Sequence, residues 1–92
     1  MECVVLYRLR ERADRGRVMQ VYPRHKAYYQ ALRAAGGGVV ALGPFLNPDP
    51  VAGSMGLFTS RADAERFVAD DPFVLEGLAE PHVLDWDPVR FA

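Results

Sequence analysis

The stretch Arg17–Gly38, RVMQVYPRHKAYYQALRAAGGG, decides how this chain folds. Within it Val18, Tyr22, His25, Tyr29 and Leu32 are spaced 4, 3, 4 and 3 residues apart, so all five side chains share one face of a helix. Four of them are apolar or aromatic, and that face should turn toward a core. The pattern predicts a helix from about Arg17 to Ala35. Gly36-Gly37-Gly38 ends it, because glycine accepts the left-handed conformation that closes a helix. Pro23 should either kink this helix or mark the first turn of its main part.

Outward from the helix the periodicity changes. Upstream, Glu2–Tyr7 is a β-rich apolar run without helical spacing and predicts a strand in the sheet interior. The polar, arginine-rich stretch from Arg8 to Arg17 contains Gly16 and is a connection. Downstream, Val39–Leu46 predicts a second strand, interrupted by Gly43-Pro44, and Val51–Thr59 a third. Asn47-Pro48-Asp49-Pro50 between them is a turn, so the two strands form a hairpin. Ser60 suits a helix N-cap, with Asp63 in the first turn and Ala64, Phe67 and Val68 as the buried face. Asp71-Pro72 restarts a short helical segment that ends at Gly77, and Pro81–Trp86 is the last strand.

The order is βαββαβ, an α+β arrangement of the split, ferredoxin-like kind: a four-stranded antiparallel sheet with two helices on one face. Residues 1–92 are expected to form one domain, near the lower end of the usual size range. Strand residues on both sheet faces are apolar, as in Val4-Val5-Leu6 and Met55-Leu57-Phe58. The face without helices would be a large apolar patch unless a second sheet covered it, so a homodimer is expected.

Half the residues are hydrophobic and a quarter charged, which is a globular composition. Eight of the eleven basic residues fall by Arg33, and nine of the twelve acidic ones follow Pro48. The basic third is interspersed with Glu11 and Asp14 and reads as a solvated face. With a pI near 6.1 and no basic run interleaved with stacking aromatics, nucleic acid is not an expected partner. The single cysteine, Cys3, lies in an apolar run as an inert thiol and suits a reducing cytoplasm. No leader and no apolar stretch near eighteen residues is present, so neither export nor membrane insertion is expected.

Two residues stand out chemically. His25 places an imidazole on the apolar stripe, where it needs partners for both ring nitrogens. It is either a satisfied core histidine or a general acid/base oriented by a carboxylate. Asp71 is the candidate carboxylate: the period set by Ala64 and Phe67 points position 71 inward and Asp70 away. Asp before Pro is equally an ordinary helix start. His25 and His82 are the only histidines, which leaves a zinc site without enough ligands. Gly36-Gly37-Gly38 follows a helix instead of preceding one, so it is no phosphate loop, and Ser54 lies in a strand without a nucleophile elbow.

The chain resembles the YciI-like (YCII-related) proteins along nearly its whole length. The matching pieces are Arg24-His25 with Tyr28-Tyr29 and Leu32, Leu42-Gly43-Pro44, Gly53-Ser54, Ala64, Asp71-Pro72-Phe73 and Gly77-Leu78. That resemblance implies a dimeric α+β barrel and a pocket in which His25 and Asp71 are an acid/base pair. It further implies small, often aromatic or lactone-like substrates, isomerising or halide-eliminating reactions, and no cofactor. Tyr29, Gly43, Pro44, Ser54 and Phe73 are the expected substrate-binding residues, with Tyr29 or Ser54 bonding a developing oxyanion. The aromatic set Tyr22, Tyr28, Tyr29, Phe45 and Phe73 suits a flat ligand or plain core packing. The long arginine-rich stretch before the histidine helix departs from the family pattern and bears on the pocket mouth. The competing expectation is a non-catalytic ligand-binding or accessory protein on the same scaffold. A cofactor-free monooxygenase is a weaker third, which no residue selects.

Overall fold

The computed structural model describes residues 1–10, 15–47 and 49–91. The elements in chain order are β1 (Glu2–Leu9), α1 (Arg15–Ala34), β2 (Val39–Pro44), β3 (Ser54–Phe58), α2 (Arg61–Asp70), α3 (Pro72–Leu75) and β4 (Ala79–Trp86). The strands form one antiparallel sheet in the order β2-β3-β1-β4. Two βαβ units are thereby interleaved in one sheet, with β1 and β3 central.

Alternation along β1 sets the two faces. Cys3, Val5 and Tyr7 are buried, while Val4 and Leu6 are only half-buried. Residues paired across strands share a face. Val5 is paired with Gly56 and Val83, and Cys3 with Phe58, so these define the side that the helices cover. There Phe58 packs on Phe67 of α2 with ring centroids 5.1 Å apart, and both are essentially inaccessible. The opposite side carries Val4, Leu6, Leu57, Leu84 and Trp86, and among the described residues no helix lies over it.

α2 begins where Ser60 predicts it. The Ser60 Oγ accepts the Asp63 N–H and donates to the Asp63 carboxylate, a reciprocal cap. Gly38 sits against the same carboxylate with φ +73, and a Cβ there would lie 2.3 Å from Asp63 Oδ2. Only glycine serves both needs.

Several boundaries differ from the sequence reading. α1 is one twenty-residue helix that starts at Arg15, two residues earlier than expected; Pro23 lies within it as expected, beyond its first turn. Proline removes the N–H that would serve the Met19 carbonyl. Met19 and Pro23 both lie on the exposed side, where solvent can serve that carbonyl instead. β1 extends through Leu9 and β4 begins at Ala79, because these residues pair with each other. The hairpin strands are shorter than expected, and residues 45–53 connect them; Pro48 lies outside the described residues. The short helical segment expected after Asp71-Pro72 is α3, and the extended backbone of Asp71 (φ −63, ψ 122) separates it from α2. Residues 11–14 of the arginine-rich connection, with Glu11 and Asp14, lie outside the described residues.

Candidate active site

The stripe on α1 does not face the core squarely. Val21, outside the stripe, is the fully buried residue of the helix, whereas Tyr22 is 45% exposed and His25, Tyr29 and Leu32 are half-buried. α1 leans on α3 and on β2 and stands off the central strands. The gap between α1 and the sheet is a cavity of about 320 Å³, within the range of small-molecule sites. Val18, Tyr22, His25 and Tyr29 of the stripe line it from above, and Tyr7, Leu42, Pro44, Ser54 and Gly56 from the sheet. Phe67, Asp71 and Phe73 close the side formed by α2 and α3.

His25 and Asp71 meet in this wall. The His25 Nδ1 lies 2.8 Å from Asp71 Oδ1, with the two side chains 13% and 0% exposed. The same oxygen accepts the Phe73 N–H at 3.0 Å, so Asp71 caps α3 and holds His25 at once. A carboxylate is acceptor-only, so Nδ1 carries the proton in this pair. The other ring nitrogen, Nε2, has no protein hydrogen bond among the described residues and is not sealed from the cavity that His25 lines. Whenever the imidazole is neutral, that unsealed Nε2 carries a free lone pair.

Aromatic rings fix the imidazole. Phe73 stacks on it at 4.3 Å between centroids and 23° between planes, and Tyr29 meets it edge-on at 5.3 Å. Tyr22 lies 6.2 Å away, tilted at 43°. α3, which carries Phe73, is tied to α1 from outside: Glu76 accepts from Arg17 at 2.7 Å and from Arg24 at 2.8 Å. The Arg24 hydrogen bond, with the charges of both arginines, holds the Glu76 carboxyl below its ordinary range.

All seven residues singled out from the sequence border the cavity: His25 and Asp71 as the pair, with Tyr29, Gly43, Pro44, Ser54 and Phe73 around it. The wider aromatic set divides. Tyr22, Tyr29 and Phe73 line the cavity, whereas Tyr28 donates its hydroxyl to the Phe67 carbonyl at 2.7 Å and is a packing residue. Burial, then the charges of Asp70 and Asp71, push the Tyr28 phenol up to about 12. Phe45 is 39% exposed and does not border the cavity. Cys3 is buried and burial raises its thiol, as suits an inert core position. Among the cavity residues that escaped the sequence reading, the polar one is Tyr7, the last buried position of β1. The alternation Cys3, Val5, Tyr7 was the available signal, masked because Val4 and Leu6 are equally apolar.

The YCII-related domain profile matches residues 1–87. The chain belongs to the YCII-related family. No curated protein matches its sequence. Among solved structures it is similar to 5-chloro-2-hydroxyhydroquinone dehydrochlorinase (TftG) from Burkholderia phenoliruptrix AC1100, determined in complex with 2,5-dihydroxybenzoquinone. The two share 25% identity and superpose with a TM-score of 0.71 over 95% of this chain and 94% of the other. Both are thus small α+β proteins of one architecture, and the relative is an enzyme that binds a small oxygenated ring.

Proposed function

We propose that this YCII-related protein is a small cofactor-independent enzyme in which His25 is the general acid/base and Asp71 orients it. The observation that carries this reading is the 2.8 Å contact of Nδ1 with a buried carboxylate while Nε2 is left to an aromatic-walled cavity. A structural histidine would have both nitrogens satisfied. The substrate class is a flat, oxygenated six-membered ring, supported by the aromatic walls and by the ring bound to the dehydrochlorinase relative. The reaction class is isomerisation or elimination, including loss of hydrogen halide. In the eliminating case a substrate proton passes to His25 Nε2, the electron pair it leaves moves into the ring, and the halide departs with the carbon–halogen pair. The net loss is HX, and no oxidant or reductant is required. Asp71 stabilises the imidazolium that forms. In this reading Tyr29 and Ser54, which line the cavity, bond the oxyanion, and Gly43 and Pro44 shape the sheet-side wall.

The uncovered sheet face is part of the same proposal. Leu84 and Trp86 are 40% and 44% exposed on that face, flanking Val4 and Glu2, and a second copy laid face to face would bury them. This dimer completes the α+β barrel that the family resemblance implies.

The test is chloride release from 5-chloro-2-hydroxyhydroquinone by the purified protein, with His25→Ala in parallel. Loss of about 10²–10⁴ in turnover, with ligand binding retained, is the expected result. Equal turnover by the variant sinks the general-base role. Binding without turnover in the wild type would move the protein to the non-catalytic class.

A further inference from the structure

The pair described above uses one oxygen of Asp71. The other, Oδ2, is sealed from solvent and has no hydrogen-bond partner. Among the described residues one other buried side-chain atom shares that condition, the Tyr7 hydroxyl. Both residues border the same cavity, and they are 0% and 8% exposed. An orphaned buried polar atom costs about 1–3 kcal/mol and is rare in a native protein. Here one orphan can only accept and the other can donate, so each is the remedy for the other.

We infer that Tyr7 is a positioning residue whose hydroxyl donates to Asp71 Oδ2, extending the pair to a chain that runs Tyr7, Asp71, His25. It acts on His25 through the carboxylate. Three observations support the assignment. Tyr7 is on a central strand, paired with Ser54 on one side and Pro81 on the other, and its carbonyl accepts the Gly53 N–H at 2.8 Å. Its ring is therefore carried by a strand paired along both edges. Burial first, then the negative charge of Asp71, raise the phenol well above its ordinary value, which keeps a proton on the hydroxyl to be donated. Finally, a packing role alone needs no hydroxyl: phenylalanine would fill the site without burying a polar atom.

The consequence is geometric. Oδ1 already accepts two N–H groups, from His25 and Phe73. A third donor on Oδ2 stops the carboxylate turning about its Cβ–Cγ bond and keeps Oδ1 aimed at Nδ1. Nδ1 then retains its proton and Nε2 its lone pair.

The inference rests on the His25–Asp71 reading, so its test avoids turnover. In wild-type protein carrying ¹³Cζ-tyrosine, in equal parts H₂O and D₂O, Tyr7 should give two Cζ lines, the signature of a bonded hydroxyl that exchanges slowly. In Tyr7→Phe the carboxylate regains the charge it shared with the phenol, Oδ1 becomes a stronger acceptor, and the His25 Nδ1–H resonance should move downfield. A single averaged Tyr7 line overturns the inference, as does a Nδ1–H resonance that stays in place or moves upfield. If Tyr7→Phe does not fold, the wild-type measurement alone decides. A protein inert toward chlorinated hydroxyhydroquinones would still give these signals, so failure of the reaction and failure of the chain are told apart.

Discussion

Asp71 does two jobs with one oxygen, and its removal should therefore be felt in stability as well as in chemistry. In Asp71→Ala the α3 cap to the Phe73 N–H disappears, which costs about 1 kcal/mol. His25 Nδ1, on a side chain only 13% exposed, is left without its acceptor, a further loss of about 1–2 kcal/mol. Removing the buried carboxylate returns about 1 kcal/mol of desolvation cost, net of the acceptor that the Tyr7 hydroxyl loses. The net expectation is destabilisation of about 1–2 kcal/mol, or about 4–16 °C in Tm for a domain of this size. Asp71→Asn is the control. Its amide oxygen can still accept from Phe73 and His25, and its NH₂ falls where Oδ2 was, opposite the Tyr7 hydroxyl. It should stay within about 1 kcal/mol of wild type. The assay is thermal unfolding of all three proteins at one protomer concentration, because association would make Tm concentration-dependent. The reasoning is refuted if Asp71→Ala melts with wild type, or if Asp71→Asn falls as far as Asp71→Ala. The second result would mean that charge, and not hydrogen-bond geometry, holds this wall together.

Three further outcomes follow from the same structure. A Cβ at Gly56 would lie 2.8 Å from Phe58 Cε2, and Phe58 is fully buried against Phe67 and cannot yield. Gly56→Ala should therefore lower stability by about 1–3 kcal/mol in urea unfolding and narrow the cavity enough to weaken ring binding in calorimetry. The carboxyl of Glu76 is held below its ordinary 4.5 by Arg24 and Arg17, so its contribution is complete above that value and is lost as pH falls through the lower folded one. Acid unfolding of Glu76→Gln, followed by circular dichroism below about pH 4.5, should show a shallower loss than wild type. Leu84→Glu on the open sheet face should convert a wild-type dimer to monomer in sedimentation velocity; a wild type that is monomeric at every concentration rejects the face-to-face assembly.

The order of elements was legible because it rests on strong local signals. Ser60 with Asp63 marks the start of α2, Asp71-Pro72 marks α3, and the glycines at 36–38 mark the end of α1. What escaped was tertiary. The 4-3-4-3 stripe on α1 correctly groups Val18, Tyr22, His25 and Tyr29, yet spacing cannot say whether a shared face meets packed atoms or a void. It meets a void, which is why Val21, one position off the stripe, carries the helix's full burial. Pro23 left two readings open for a related reason: a helix interior tolerates proline on the solvent side, and the side is a property of the fold. Tyr7 escaped because β1 is apolar on both faces, so its alternation carries little contrast.

Asp71 was legible twice over, as a cap and as an inward carboxylate, and the two readings look like rivals in the sequence. The structure makes them one. Capping fixes the backbone that starts α3, and Phe73, two residues on, is thereby set to stack on the imidazole that Asp71 bonds. A carboxylate supplied by a flexible loop would have to find His25 anew with each fluctuation. Here the element that carries the carboxylate is closed by that same side chain and clamped to α1 by Glu76. Orientation of His25 is thus secured by the secondary structure itself, which a domain of 92 residues needs, since it has few layers with which to brace a site. The bland reading of Asp-Pro as a helix start is in this way not the competitor of the functional one but its mechanical basis.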